Sequence, residues 1–201
     1  MARTIVQLIT GERYHLFNRG VDKRIVFEDK EDYLRFYQSL DVFNTIEPSH
    51  NFIFSRNKIR TQEEKLVQIY AYSLLPNHFH LVVEQLVDGG VGDFMKRVLG
   101  GYTSYFNEKN IRTGSLFQGT YKRIHIDSSE YYNYLIAYVN ENHFVHNIKR
   151  DTDICYSSSE HYQKNKKSKH IPVIKGQYSF QDNKDLAKDI SEKREIMLSE
   201  R

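Results

Sequence analysis

A single cysteine, Cys155, stands in this chain of 201 residues, so neither an internal disulfide framework nor a multi-cysteine zinc site can be built within it. One unpaired thiol fits a reducing cytoplasm. Tryptophan is absent and prolines number only three. No apolar run approaches the roughly 20 residues needed to span a bilayer, so no membrane partner is expected. The first ten residues, Met1 to Thr10, have too short an apolar core for a secretory signal. Charge of one sign is also lacking: 29 Lys and Arg against 26 Asp and Glu leave a formal net charge of +3. The resulting pI of about 8.8 permits a nucleic-acid partner without demanding one. A hydrophobic fraction of 39% with a mean hydropathy of -0.65 predicts a soluble chain with a polar surface.

Aromatic residues are abundant instead, with 15 tyrosines and 12 phenylalanines. Rings of this kind stack on unpaired bases, although core packing is their default use. Residues 14–19 read as a first strand ended by Gly20. Tyr33, Phe36, Tyr37, Leu40 and Phe43 recur at helical steps and predict a helix from Asp29 to Ile46, stopped by Pro48. Residues 49–64 are polar and read as a loop or insertion. Strands follow at Leu66 to Leu75 and His78 to Gln85, and the short Pro76-Asn77 link between them predicts an antiparallel hairpin. A second helix is predicted from Val91 to Asn110, with Gly100-Gly101 marking either a break or a close approach to another backbone. Tyr121 to Ile126 reads as a fourth strand. Ser128 or Ser129 then caps a third helix reaching about Phe144. The pattern is that of an α+β domain over residues 5–150, an antiparallel sheet with helices packed on it. Residues 151–201 read as a polar, basic and partly mobile tail, with Lys164, Lys166, Lys167 and Lys169 clustered in it.

The most informative stretch is His78-Phe79-His80 after the Pro76-Asn77 turn. On a strand, residues i and i+2 face the same way, so both imidazoles project together while Phe79, Leu81 and Val83 fill the opposite face. Two imidazoles on a rigid strand make half of a divalent metal site. The same pair could equally be surface residues or satisfied core residues in a chain with nine histidines. Glu84, on the same predicted face, is either a partner orienting an imidazole or a plain surface carboxylate.

The third helix carries Tyr131, Tyr134, Leu135, Tyr138, Asn142 and Val145 at steps of three and four. Core packing accounts for Tyr131, Tyr134 and Leu135. Asn142 fits that account poorly, because a buried amide needs polar partners. On a continuous helix it would sit one turn beyond Tyr138 on the same face. A phenol and an amide oxygen near two imidazoles would complete a nucleophile-plus-metal arrangement.

At these residues the chain resembles the single-tyrosine HUH transposases, and especially the REP-associated tyrosine transposase branch. His78-Phe79-His80 looks like the HUH signature, and Tyr138 to Asn142 looks like the tyrosine helix. Tyr14 to Gly20 with Phe27-Glu28-Asp29, then Tyr102 to Asn107, then Gly114 to Gly119, are similar to further family segments in the same order. The likeness spans roughly residues 12–146. Where the family commonly has proline after the asparagine, this chain has His143.

The resemblance implies a ferredoxin-like fold and a single-strand DNA endonuclease that both cleaves and rejoins. Tyr138 would attack a backbone phosphorus, forming a 5′-phosphotyrosine and releasing a 3′-hydroxyl. Mg²⁺ or Mn²⁺ would be held by His78, His80 and Asn142, with two imidazoles favouring Mn²⁺. An unassisted phenol is a weak nucleophile at neutral pH, so its ionisation needs help. The implied partner is single-stranded DNA with hairpin repeat elements, bound by a monomer or a homodimer. Candidate phosphate contacts are Arg19 and Arg24 beside the first strand, Lys96 and Arg97 on the second helix, and Lys122 and Arg123 on the fourth strand. The lysine cluster at 164–169 would add non-specific grip. His125 is a further histidine expected to approach from a neighbouring strand, ranked below Asn142 as a ligand. Rival readings are a catalytically silent DNA-binding relic and a metal-dependent phosphodiesterase. A replication initiator or relaxase fits less well, since the histidines precede the tyrosine and no helicase segment is present.

Overall fold

The computed structural model describes residues 7–48, 52, 65–145, 156–159 and 162. The insertion at 49–64, Phe52 apart, and the lysine cluster at 164–169 lie outside the described residues. Strand β1 is Arg13–Arg19, followed by a single 3-10 turn at Val21–Lys23 and helix α1 at Lys30–Val42. Strands β2 (Val67–Leu75) and β3 (His78–Gln85) form the hairpin across Pro76-Asn77, with Leu75 opposite His78. Helix α2 is Gly90–Lys109, β4 is Lys122–His125, α3 is Ser129–Asn140, α4 is Asn142–Val145 and β5 is Tyr156–Ser157.

All strand pairs are antiparallel, in the order β4-β1-β3-β2-β5. The first four strands, with α1 and α2 between them, have the β-α-β-β-α-β arrangement of ferredoxin-like folds. The α+β prediction holds. The fifth strand was not legible in the sequence. Tyr156–Ser157, placed in the tail by composition, pairs with β2 through Ser73 and Leu74. Tyr162 anchors the same segment by donating its hydroxyl to the Tyr70 carbonyl at 2.9 Å.

The sheet is packed on both faces. Tyr14, Leu16, Phe79, Leu81 and Val83 point to one side, where Phe36 and Leu40 of α1 and Phe94, Val98 and Tyr102 of α2 cover them. Val82 and Ala71 point to the other, against Leu135, Ile136 and Val139 of α3. Strand alternation thus assigns the even and odd residues of β3 to two different helical layers.

Local chemistry sets the element ends. Asp29 caps α1 by accepting from the backbone N–H groups of Glu31 and Asp32. That helix stops at Val42, short of the predicted Ile46, because Asn44 is recruited to the sheet. Its Oδ1 accepts from the amides of Leu66 and Val67, and its Nδ2 donates to the Val67 carbonyl. Helix α2 runs unbroken through Gly100-Gly101. The close neighbour of Gly101 is a ring and not a backbone: a Cβ there would lie 2.7 Å from the Phe43 side chain. Among the described residues no helix is long and apolar enough to cross a membrane.

Candidate active site on the second face of the sheet

His78 and His80 do share a face, with ring centres 5.2 Å apart and planes nearly perpendicular. Each is held through Nδ1. The Nδ1 of His78 lies 2.6 Å from Oδ1 of Asn77. The Asn77 amide cannot be turned over, because its Nδ2 donates to the Lys23 carbonyl at 3.2 Å. An amide oxygen only accepts, so His78 carries its proton on Nδ1 and its lone pair on Nε2. The Nδ1 of His80 lies 2.9 Å from Nε2 of His15.

His15 has no role in the sequence reading beyond its place in the Tyr14 to Gly20 segment. Its neighbours in β1, Tyr14 and Leu16, are core residues of the other layer, so alternation alone could have put it on the histidine face. Its partner, 65 positions away, could not be read in that manner. His15 is 5% exposed, and burial holds its imidazole far below the usual histidine range, at about 4, so the ring is neutral at physiological pH.

Helix α3 brings Tyr138 onto this face. Its ring meets His80 edge-on at 5.5 Å and His15 at 6.5 Å between centres. Ser128 starts the helix by accepting from the Tyr131 amide, one of the two predicted caps. The helix presents two interleaved stripes. Tyr132, Leu135, Ile136 and Val139 are buried on the sheet. Tyr131, Tyr134 and Tyr138 form a second row with near-parallel rings, 6.3 Å between successive centres and 18° and 4° between planes. Tyr134 is 37% exposed, so its assignment to the core is corrected, while Tyr131 is partly buried and packs against the core on this face. The sheet takes the more aliphatic stripe, and the phenol row is left along the rim.

The predicted run of this helix to Phe144 is also corrected. It ends at Asn140, Glu141 leaves helical geometry (φ -106, ψ 19), and Asn142 opens the separate helix α4. The cause is a long-range contact: Asn140 accepts from Ser158 Oγ at 2.5 Å and Glu141 from Ser159 Oγ at 2.6 Å. Asn142 is fully buried, and neither its Oδ1 nor its Nδ2 has a hydrogen-bond partner among the described residues. A buried amide left so is costly unless something else uses its oxygen. Among the described residues no group of three or more His, Cys, Asp or Glu is placed to hold a metal. A cation on His78 and His80 would therefore need an amide or solvent oxygen to complete its shell.

The basic candidates separate into two groups. Arg19 is paired across strands with His78, is exposed, and donates from Nε to Gln118 Oε1 at 2.6 Å. Lys122 is opposite Phe17 in the register, with its ammonium 6.0 Å from that ring, and Phe17 in turn lies 5.7 Å from the His80 ring. Arg24 is exposed on the segment after the 3-10 turn, and that segment is tied to the hairpin by Val26 donating to the Pro76 carbonyl. Arg19 and Lys122 border the histidine face, and Arg24 lies on the segment that joins the end of the hairpin to the α1 and α2 side. Arg123 is opposite Leu16, hence on the α1 and α2 side. Lys96 and Arg97 belong to α2, also on that side. Arg97 donates to the Thr45 carbonyl at 2.6 Å and lies 3.8 Å from the Asp93 carboxylate.

Two other residues are placed away from the imidazoles. Glu84 accepts from the Tyr70 hydroxyl at 2.6 Å and from Arg13 Nε at 3.3 Å, so it serves the far end of the strand. His125 pairs with Glu12 at 2.8 Å and tilts against Tyr14, on the opposite side of the sheet from His80.

No protein-family model and no curated protein matches the chain. Among solved structures, one of a REP-associated tyrosine transposase bound to a REP hairpin is similar, with a TM-score of 0.50 and 14% sequence identity. The match covers 79% of this chain and 82% of that one. At that level of identity the likeness is one of fold, an antiparallel sheet with packed helices carried through most of both chains.

Proposed function

We propose that this chain is a metal-dependent tyrosine enzyme that cleaves and rejoins single-stranded DNA flanked by hairpins, in the manner of the single-tyrosine HUH transposases. The observation that carries the reading is the convergence of Tyr138 with His80, edge-on at 5.5 Å, on the face that also bears His78. The fold likeness to a transposase bound to a DNA hairpin supports it.

In this reading Tyr138 Oη attacks a backbone phosphorus, its bond to phosphorus forms as the 3′-oxygen leaves, and the 5′-phosphate stays on the tyrosine. The released 3′-hydroxyl, or another brought to the same place, reverses the step. The phosphoester bond energy is retained in the covalent link, so rejoining needs no nucleotide triphosphate. His78, His80 and Asn142 would hold the cation, and bound Mg²⁺ or Mn²⁺ would polarise the non-bridging oxygens and favour the charge that develops on them. Arg19 and Lys122, exposed beside the imidazoles, suit contacts with the flanking phosphates.

The deciding experiment incubates the protein with Mn²⁺ and labelled single-stranded hairpin oligonucleotides, and resolves the products on a denaturing gel. A labelled protein adduct that chelation prevents is the expected result. Free cleaved ends without an adduct would replace this reading with a phosphodiesterase. Binding without any cleavage would leave a DNA-binding relic.

The phenol row, with Tyr134 exposed at its middle, adds a prediction about affinity. Parallel rings at Tyr131 and Tyr134 beside the nucleophile suit stacking on unpaired bases, worth about 1–3 kcal/mol per base. Tyr134→Ala should weaken single-strand binding on the order of tenfold and leave duplex binding unchanged, as read by fluorescence anisotropy. Equal loss for both substrates would remove the stacking role.

A further inference from the structure

We propose that His15 is a positioning residue of the cation site: its hydrogen bond to His80 Nδ1 fixes the tautomer and rotation in which His80 presents Nε2. The inference rests on the reading of His78 and His80 as cation ligands and adds a residue to it.

The geometry is specific. His15 and His80 are diagonal neighbours, since the strand register sets Phe17 opposite His80 and Val82 opposite His15. Their nitrogens are 2.9 Å apart while their ring centres are 5.1 Å apart, with 21° between planes. So wide a separation of centres for so short a contact means the rings meet edge to edge, along the in-plane direction in which an imidazole N–H points. His15 is also confined. Phe17 lies 4.9 Å from its ring and Tyr138 6.5 Å, and the residue is 5% exposed. It is not a third ligand, because no described cluster of three such groups can share a metal.

The tautomer follows from the pairing. An imidazole that binds a cation through Nε2 must carry its proton on Nδ1, and that proton needs an acceptor. His78 has Oδ1 of Asn77 for this purpose, and His80 has Nε2 of His15. Both histidines of the pair are thereby anchored through Nδ1, which leaves Nε2 of each as the nitrogen with the lone pair. One anchor is local, from the preceding residue of the hairpin turn. The other crosses the sheet, which couples the ligand strand β3 to β1.

The test uses the full chain and two variants: His15→Phe keeps the ring and removes the bond, and His15→Gln restores an acceptor. Long-range ¹H–¹⁵N spectra of metal-free protein report the ring nitrogens directly. The wild type should show His80 protonated at Nδ1. His15→Phe should shift His80 toward the other tautomer and leave His78 as it was. Mn²⁺ affinity, followed through the paramagnetic resonance of the free ion, should fall 10- to 100-fold in His15→Phe and largely return in His15→Gln. If His15→Phe does not fold, His15→Gln with an unaltered His80 spectrum and near-normal affinity supports the proposal. An unchanged His80 tautomer and unchanged Mn²⁺ affinity in His15→Phe would overturn it and reduce His15 to packing. A wild type that binds no Mn²⁺ would overturn the cation-site reading itself, whatever the His80 spectrum shows.

Discussion

Tyr138→Phe should yield no protein-linked DNA, with a fall in cleavage of at least about 10⁴-fold, the scale set by removing an attacking atom. The substitution deletes one oxygen and little else. Phenylalanine keeps the edge contact with His80 and the near-parallel alignment with Tyr134, whose planes differ by 4°. Folding and single-strand affinity should therefore stay close to wild type. That separation of binding from cleavage is what distinguishes a nucleophile from a residue that shapes the site. Peptide mapping of the wild-type adduct should find the label on Tyr138. An adduct that persists in Tyr138→Phe and disappears in Tyr134→Phe would move the nucleophile one turn along α3. Free ends persisting in Tyr138→Phe would instead make water the attacking group.

The largest effect expected on stability lies on the other face of the sheet. Asp32, on α1, is fully buried, and its carboxylate is used three times. Oδ1 accepts from Lys109 Nζ at 2.7 Å and from the Tyr105 hydroxyl at 3.1 Å, and Oδ2 accepts from the Glu28 amide at 2.8 Å. This ties the first turn of α1 to the last turn of α2. Burial works against the charge on Lys109, but the hydrogen bonds it donates to Asp29 and Asp32 outweigh it and raise the lysine well above its ordinary value. Burial first, and the Asp32 charge second, raise the Tyr105 phenol to about 12. Asp32→Ala strands a partly buried ammonium, a phenol and a backbone amide together. Breaking a buried pair costs about 3–5 kcal/mol. The low end, about 3 kcal/mol, is expected because Lys109 keeps Asp29 at 2.6 Å and is still 26% exposed. Urea denaturation should show a lower midpoint at unchanged slope. A loss below about 1 kcal/mol would mean that the network orients the helices without stabilising them. The double variant with Lys109→Met should lose less than the sum of the two single variants, since each single change orphans the other partner.

Much of this molecule follows from short-range pattern. The hairpin at Pro76-Asn77 and the β3 range His78–Gln85 were legible because turn chemistry and period-two alternation act between near neighbours. The shared face of His78 and His80 follows from the same alternation, and the Ser128 cap from its own side-chain oxygen. The resemblance to a transposase family also rests on such local segments in order. Contacts between distant residues decided the remainder. Asn44 ends α1 because β2 amides claim its side chain, and α3 breaks at Glu141 because Ser158 and Ser159 hold Asn140 and Glu141. The choice between two tyrosine-bearing stripes on α3 was made by the sheet it packs against, since both stripes have helical spacing. Lys96 and Arg97 stand on the opposite layer from Tyr138 because α2 crosses to the face that β3 fills with Phe79 and Leu81. His15 meets His80 only because β1 and β3 are adjacent in the sheet, a pairing set by burial and hydrogen bonding across 65 residues of chain, beyond the reach of any local signal.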